Sequence, residues 1–358
     1  MAVTIKQIAL HAGLSVPTVS RILNNDAELF RAETREKVLK AARDLGYRPN
    51  SYRMALRTKK FNAIGLLFPA DPSESLLSCH TQCVLLQELQ RRNQHLVAGQ
   101  AGTRQVDANS NGDGDEMADF PKMLREWSVD GLLIDSLAAA PQMLQEWITR
   151  TRIPAIWLDV KHPADCVYAD EFNGVKEGTE RLLKMGHRRI MYLDCVHRDP
   201  CGHRQAGYST AMKSAGLSPQ VFVPEDVERS RLADHFSEWL RGQRGPNFPT
   251  AIFCNDSELA LPLYLAAIRG GISVPKDLSI LTIHDEICVG LGLALSTMRL
   301  PAAEMAVQGL AALDEKIANP LADVAPRALQ MVYEEGTTVG PLTSPAPSHP
   351  PVRRADGS

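Results

Sequence analysis

The first 46 residues divide into three short helical segments, and this division constrains the fold more than any other feature of the chain. Helices are predicted at residues 4–9 and 18–23, on either side of the helix-breaking segment 13–15. A third, amphipathic helix is predicted to end at Gly46, since glycine commonly follows the last turn of a helix. Two short helices around a glycine-containing turn form a helix-turn-helix unit.

Polar residues stand where the first two helices would begin. Thr4 and Gln7 have the spacing of a capping box, in which each side chain accepts a hydrogen bond from the backbone of the other. Ser15 can cap the second helix by accepting from the amide near Thr18. Apolar residues at helical spacing supply a face on which so small a unit can pack. They are Ile8, Ala9, Leu14, Val19 and Ile22.

Basic residues are concentrated at the amino-terminal end. Residues 1–60 hold 12 Lys or Arg and five Asp or Glu, a net charge of +7, while the remainder has a net charge of −10. A basic head on an acidic body is typical of a protein that holds nucleic-acid phosphates with one end only. A charged helical surface without any partner is the alternative.

From residue 63 the pattern changes to apolar runs that alternate with helical segments. Such alternation predicts parallel sheets covered by helices on both faces. The predicted strands are 63–68, 95–98, 131–134, 155–158, 189–193, 251–254 and 278–282. The predicted helices between them include 85–94, 175–185, 204–215, 231–241 and 257–269. A body of about 270 residues favours two such domains rather than one.

The start of the chain and its cysteines indicate the compartment. Residues 1–4 run directly into the first predicted helix, so we expect no signal peptide. No apolar run approaches the ~20 residues of a membrane span, and we expect no membrane association. Seven cysteines without a secretion signal favour reduced thiols. We therefore expect a cytoplasmic protein.

The motifs of common enzyme classes are missing from the sequence. We find no glycine-rich phosphate loop ahead of a Lys-Ser or Lys-Thr pair, no His-Glu-x-x-His and no Gly-x-Ser-x-Gly. We therefore predict that the chain is not an enzyme and uses no cofactor.

The segments 4–23, 34–42, 45–50, 186–190 and 272–279, in this order and spacing, resemble the LacI/GalR (lactose-repressor) family of transcription regulators. The resemblance extends from Thr4 to about Met331. It implies an all-α helix-turn-helix head, a hinge helix that orders on operator DNA, and a body of two doubly wound α/β subdomains like a periplasmic sugar-binding protein. It also implies a homodimer on a near-palindromic operator.

The resemblance also implies domain boundaries. The expected division is a DNA-binding head at 1–49, a hinge and linker at 50–61, an effector-binding and dimerisation body at 62–338, and a disordered tail at 339–358. Within the body, the first subdomain is expected at 62–160 with 291–322, and the second at 161–290 with 323–335. The tail lacks leucine heptads, which favours a dimer over a tetramer.

Base reading is assigned by the resemblance to the start of the second helix. Arg21 can make two hydrogen bonds to guanine, which discriminates by ~1–3 kcal/mol. Val16 has no hydrogen-bonding side chain and can only touch a thymine methyl, and Pro17 suits an early helix position. Plain helix initiation is the alternative role for these two residues. The residues better suited to phosphate contacts are Thr4, Ser15, Thr18, Ser20 and Asn24.

The hinge both matches and departs from the family pattern. Asn50 is expected to begin the hinge helix at 51–57 and counts with Arg53 among the DNA-contacting residues, while Leu56 aligns with the leucine that wedges into the minor groove. Arg53 stands where the family usually has a small alanine, and two arginines across the dyad would repel each other unless each reached a phosphate. Arg31 replaces a capping Ser or Thr, which typically costs ~1 kcal/mol.

Five polar residues align with the family's effector positions. Asp135 and Asp159 each end a predicted strand, and Arg204 opens an Arg-x-x-Gly-aromatic motif. Asn255 matches a further ligand position, and His284 stands where sugar-binding members carry Asp. We expect a sugar or related polar metabolite as effector, while solvated loop positions are the alternative for each residue taken alone.

Residues 195–203 hold two cysteines and two histidines, which are ligand types that zinc prefers. Cys195, His197, Cys201 and His203 match no standard zinc spacing and fall on the family's effector loop, so we predict no metal site and keep zinc as a minor alternative.

The functional prediction is a dimeric transcription regulator, a repressor, whose DNA binding is controlled by a small molecule between two subdomains. The effector is expected to change the angle between the subdomains and so the stability of the hinge helices on DNA. The departures at Arg31 and Arg53 motivate one alternative, a cytoplasmic sugar-binding sensor that has lost operator binding. An enzyme of sugar metabolism is a more distant alternative.

Overall fold

The computed structural model describes residues 3–23, 27–47, 60–69, 75, 77–101, 128–135, 142–194, 202–224, 227–243, 245–285 and 293–342. Contacts divide the chain into two compact units, residues 1–63 with 127–130 and the remainder. In the described part of the chain, no helix has both the length and the apolar composition needed to span a bilayer.

Three helices form the head, as predicted. They are α1 (Ile5–Ala12), α2 (Val16–Leu23) and α3 (Ala32–Asp44), with a 3-10 turn at Ala27–Leu29. The helices pack around a small apolar core that holds the predicted apolar face. Its buried members are Ile8, Ala9, Ala12, Val19, Ile22, Val38, Ala41 and Ala42.

The helix caps of the head explain where its helices start. The Thr4 N–H donates to Gln7 Oε1 at 2.8 Å and the Gln7 N–H donates to Thr4 Oγ1 at 3.4 Å, which confirms the capping box. Ser15 Oγ accepts from the Thr18 N–H at 3.2 Å, and this cap starts α2 two residues earlier than predicted. Arg31 precedes α3 without a side-chain cap, as the sequence indicated.

The body consists of strands and helices that alternate along the chain. In chain order its strands are β1 (Ala63–Phe68), β2 (His95–Gln100), β3 (Gly131–Asp135), β4 (Ala155–Leu158), β5 (Cys166–Ala169), β6 (Ile190–Leu193), β7 (Gln220–Phe222), β8 (Ala251–Cys254), β9 (Ser279–His284), β10 (Ser296–Arg299), β11 (Arg327–Leu329) and β12 (Val332–Glu334). Its helices are α4 (Cys79–Arg91), α5 (Gln142–Thr151), α6 (Glu171–Lys184), α7 (His203–Ser214), α8 (Leu232–Gly242), α9 (Ser257–Arg269) and α10 (Ala302–Ala318). A 3-10 turn at Arg229–Arg231 precedes α8.

The strands form two six-stranded sheets, in the orders β11-β5-β4-β3-β1-β2 and β12-β10-β9-β8-β6-β7. The central pairs are parallel, and the edge strand β12 runs antiparallel to β10. Helices α4 and α10 cover the first sheet. The second sheet packs on α8 and α9 with one set of residues and on α6 and α7 with the alternating set, which confirms the doubly wound prediction.

Sheet membership corrects the expected division of the body at three strands. β5 and β11 were placed in the second subdomain but belong to the first sheet, and β10 was placed in the first but belongs to the second. The chain crosses between the sheets three times, as expected. Each crossing follows one of the strands β5, β10 and β11, which are too short or too polar to recognise in the sequence. The crossings therefore fall about one strand later than expected.

Two helices begin earlier than predicted because polar residues cap them. α4 starts at Cys79, where Ser78 Oγ accepts from the Thr81 N–H at 3.0 Å, and not at Leu85. α6 starts at Glu171, where the Asp170 carboxylate accepts from the amide of the third helical residue, and not at Val175.

Candidate nucleic-acid interface and ligand cleft

Helix α2 turns one face into the core of the head and leaves the other to solvent. Val19 and Ile22 are fully or almost fully buried, whereas Val16 is 41% exposed and Pro17 and Arg21 are exposed. The Arg21 guanidinium lies 5.5 Å from the centre of the Phe30 ring, a cation–π distance. The outward face therefore presents one long cation beside two small apolar residues, a pattern suited to the major groove.

The residues predicted to contact phosphates lie at helix starts or outside the described residues. Thr4 and Ser15 are exposed at the amino ends of α1 and α2, where backbone N–H groups favour anions. Thr18 and Ser20 lie half-buried within α2. The positions outside the described residues are Asn24, Asn50, Arg53 and Leu56, so the hinge remains a prediction.

In the first sheet, two carboxylates lie at the carboxyl ends of neighbouring strands. Asp135 ends β3, is completely buried, and accepts a hydrogen bond from Ser75 Oγ at 2.5 Å. Asp159 follows β4 with a left-handed backbone (φ 58°), in a conformation that few side chains other than Asn and Asp adopt. The pairing of Asp135 with Leu158 places the two carboxylates on adjacent strands at the same edge.

Arg204 lies in a buried network at the carboxyl ends of strands of the second sheet. It pairs with Glu171 at the start of α6, with Nε 2.8 Å from Oε1, and its Nη1 donates to the backbone and side-chain oxygens of Asn255, each at 2.9 Å. The Asn255 amide in turn donates to Asp194 at 2.6 Å. Burial opposes the charge of Arg204, but Glu171 keeps its pKa above the usual value.

His284 lies at the carboxyl end of β9, beside two residues that the sequence analysis missed. Its Nδ1 is 3.0 Å from Ser257 Oγ and 3.5 Å from Asp285 Oδ1. Glu171 and Asp194 were also missed, because both gain their importance from contacts with predicted residues that are distant in sequence. Asp285 alone carried a detectable signal, since it directly follows a predicted site residue.

A cleft opens where the two sheets meet at their carboxyl ends. It contains Asp159 and Asp285 as its acidic residues and Ser78 and Thr81 as its hydroxyl residues. The remaining lining residues are apolar and comprise Leu77, Ala169, Leu300, Pro301, Ala302 and Met305. An apolar pocket with a few convergent polar groups is typical of a small-molecule site.

The environment of Asp159 favours its protonated form. Burial, followed by the Glu171 carboxylate, raises the pKa of Asp159 to about 7, with a smaller increase from Asp135. Arg204 and the Ala169 N–H oppose this rise. The four charged groups therefore act on one another within a single electrostatic cluster, and Asp159 can donate a hydrogen bond below neutral pH and only accept above it.

We expect Asp159→Asn to change how stability depends on pH. A carboxyl group with a raised pKa in the folded state contributes stability below its unfolded value of 3.8. That contribution is lost as the pH rises to the pKa of the group in the folded state, about 7. The free energy of unfolding of the variant, relative to the native protein, should therefore rise by roughly 2–3 kcal/mol between pH 5 and pH 8. Urea unfolding at a series of pH values measures this difference.

The exposed Asp323 provides a matched control, because Asp323→Asn makes the same chemical change away from the cleft. Its free energy of unfolding, measured at the same pH values, gives the effect of an Asp-to-Asn change outside the cleft, with which Asp159→Asn is compared. If the free energies of unfolding of Asp159→Asn and the native protein changed in parallel with pH, the raised pKa of Asp159 would be contradicted.

The cysteine–histidine segment leaves the zinc alternative untested. Cys195, His197 and Cys201 lie outside the described residues, and His203 begins α7. Over the part of the chain that the structure describes, no three His, Cys, Asp or Glu side chains converge as a metal site would require.

Two known families match separate regions of the chain. Residues 4–50 match the bacterial regulatory proteins of the lacI family, and residues 179–338 match a periplasmic binding protein-like domain. The first match covers the head, and the second covers all six strands of the second sheet together with β11 and α10.

Similar sequences extend over most of the chain. The HTH-type transcriptional regulator GalS of Salmonella typhimurium is 28% identical over 311 residues, 85% of this chain and 87% of GalS. The regulator DegA of Bacillus subtilis is 29% identical over 328 residues (86% and 89%). The ribose operon repressor of Escherichia coli is 26% identical over 328 residues (88% and 94%).

Solved structures share the fold. A lac repressor dimer bound to operator and the anti-inducer ONPF matches with a TM-score of 0.75 and 22% identity, over 95% of this chain and all of that one. A LacI-family regulator from Enterococcus faecium with bound ribose matches with a TM-score of 0.60 and 21% identity, over 78% of this chain and all of that one.

Proposed function

We propose that the chain is a DNA-binding transcription repressor of the lacI family, controlled by a small-molecule effector, because residues 4–50 match that family and similar regulators align over most of the chain. One observation carries this proposal: a capped helix-turn-helix head and a two-sheet body with a polar cleft occur in one chain. The head supplies an exposed cation on its second helix, and the body supplies a site whose occupant would touch both sheets.

The charges of the cleft support a neutral, hydroxyl-rich effector. Asp159 and Asp285 contribute carboxyl groups to the lining, and the buried Asp135 lies at the same edge of the first sheet as Asp159. The donors of Arg204 already serve Glu171 and Asn255. An anionic metabolite would meet repulsion there, whereas carboxylates and amides hold sugar hydroxyls well. The relatives point the same way, since one is a ribose operon repressor and a solved relative contains ribose.

A homodimer is the assembly that best fits this function. A helix-turn-helix protein reads a near-palindrome with two copies of its head, and a solved relative is a dimer on its operator. An effector that contacts both sheets with unequal affinity in two body states would shift their populations and so change DNA affinity. A protein that acts on the chromosome works in the cytoplasm, at the nucleoid.

Selection of genomic fragments by the purified full-length protein tests the proposal. The selected fragments should share a near-palindrome of about 16–20 base pairs, with an affinity that falls steeply with salt concentration. A panel of neutral sugars should contain one that raises the unfolding temperature and changes operator affinity. Sugar binding without any enriched site would instead favour the sensor that has lost operator binding. Turnover of a sugar by the pure protein would indicate an enzyme.

A further inference from the structure

Helix α4 carries two exposed thiols on one face. Cys79 and Cys83 are both free and exposed, whereas the free cysteines Cys166 and Cys254 are buried. Cysteine is among the residue types most often buried, so two exposed thiols one helical turn apart are unusual. The opposite side of α4 packs into the core through Leu85 and Leu89, which fixes the orientation of the thiol face toward solvent.

The spacing of the two thiols excludes one reaction and permits another. Side chains four residues apart on a helix have Cβ atoms about 5–6 Å apart. A disulfide requires Cβ atoms roughly 3.5–4.5 Å apart, so Cys79 and Cys83 cannot form one without unwinding the helix. A single atom bonded to both sulfurs can span the ~5–6 Å between the Cβ atoms, because the two sulfurs are then joined by two bonds instead of one.

We propose that Cys79 and Cys83 form a dithiol site for a thiophilic metalloid or metal that takes two thiolate ligands. Two ligands suit this class better than zinc, which requires four. Within the described residues no third Cys, His, Asp or Glu joins the pair as a metal ligand. Soft thiolates select soft partners, and trivalent arsenic in an organoarsenical with one carbon substituent forms two such bonds.

The site lies on the turn of α4 that also lines the ligand cleft. Ser78, which caps α4, and Thr81 both contact the cleft, and their hydroxyl oxygens are 3.0 Å apart. Cys79 lies between them in sequence and on the exposed side of the same turn. An atom that bridges Cys79 and Cys83 therefore stiffens the segment that holds two cleft hydroxyls in place.

Phenylarsine oxide is the probe that tests the site. Two thiols react with its arsenic–oxygen group, two sulfur–arsenic bonds form, and the oxygen leaves as water with the two thiol protons while arsenic stays trivalent. Trypsin is expected to release residues 61–91 as one peptide, in which Cys79 and Cys83 are the cysteines. After treatment of the reduced native protein, that peptide should carry one phenylarsenic group that glutathione does not remove and dithiothreitol does.

Two kinds of variant separate a bridged pair from independent thiols. Cys79→Ser and Cys83→Ser should each lose the glutathione-resistant adduct. The double variant Cys83→Ser, Leu86→Cys keeps two thiols on the exposed face but places them seven residues, about 10 Å, apart along the helix. This spacing variant should also lose the glutathione-resistant adduct. The proposal is overturned if this spacing variant retains the adduct, if the 61–91 peptide is unmodified, or if arsenic links two chains. Circular dichroism verifies that each variant is folded.

Discussion

Arg21→Ala should remove most of the operator preference of the protein and leave its head folded. The guanidinium projects from the exposed face of α2 and is the only Lys or Arg side chain within that helix. A bidentate contact to guanine discriminates by ~1–3 kcal/mol, so the ratio of operator affinity to random-DNA affinity should fall roughly 5- to 150-fold. The enriched sequence should also lose its preference for guanine at one position in each half-site.

The measurement compares the native protein and the variant on operator and scrambled duplexes at one salt concentration. Arg150→Ala is a suitable control, because Arg150 is an exposed arginine on helix α5 of the body. It should leave the affinity ratio unchanged. If Arg21→Ala reduced the affinity for both duplexes equally, Arg21 would contact a phosphate, and other residues of α2 would read the bases.

The head could be predicted almost entirely from sequence because its determinants are local. The Thr4–Gln7 box, the Ser15 cap and the left-handed Gly13 lie within a few residues of the helix ends that they define. The one boundary placed late, the start of α2, moved because Ser15 caps a helix that already includes Val16 and Pro17.

Most strands of the body that were predicted are buried and largely apolar. β1, β3, β4, β8 and β9 are of this kind and were all found, and β2 was found although it is partly exposed. β10 was missed because Ser296 and Thr297 are residue types common in loops, although both are buried. Their hydrogen-bond partners, Thr338 and Thr282, are distant in sequence and so gave no local signal. Helix α10 was missed although its apolar spacing offered a signal.

The site shows the same limit. Asp159, Arg204 and Asn255 were proposed by resemblance, and the structure brings them into one charged cluster. Glu171 was not proposed, although it is the partner of Arg204 and a main cause of the raised pKa of Asp159. No local pattern marks Glu171, because its role depends on α6 and α7 lying side by side.

Gly207→Ala should destabilise the body strongly, because the backbones of α6 and α7 lie very close together at Gly207. A Cβ at this position would lie 2.3 Å from the Phe172 carbonyl oxygen and 3.1 Å from the Lys176 nitrogen, both backbone atoms of α6. Helix backbones cannot yield as a flexible side chain does, so the helices must separate. Overpacking of this kind typically costs ~1–3 kcal/mol, and occasionally more.

The separation of the helices should also damage the buried network around Arg204. Gly207 follows Arg204 by one turn of α7, and Phe172 follows Glu171 on α6, so the same displacement pulls the buried ion pair apart. Breaking a buried pair costs ~3–5 kcal/mol when one charge is left uncompensated, although a displaced pair keeps part of its attraction. We therefore expect a total loss of about 3 kcal/mol or more, together with loss of the effector response.

Gly242→Ala tests whether the effect comes from this contact or from any glycine replacement in a helix. Gly242 ends α8, and a Cβ there would meet no atom within 4 Å. This control should leave stability unchanged or raise it by up to about 1 kcal/mol, because alanine restricts the unfolded chain. Equal unfolding midpoints for Gly207→Ala and Gly242→Ala in urea would show that α6 and α7 do not meet at Gly207. The glycine of the Arg-x-x-Gly-aromatic motif would then need an explanation other than helix packing.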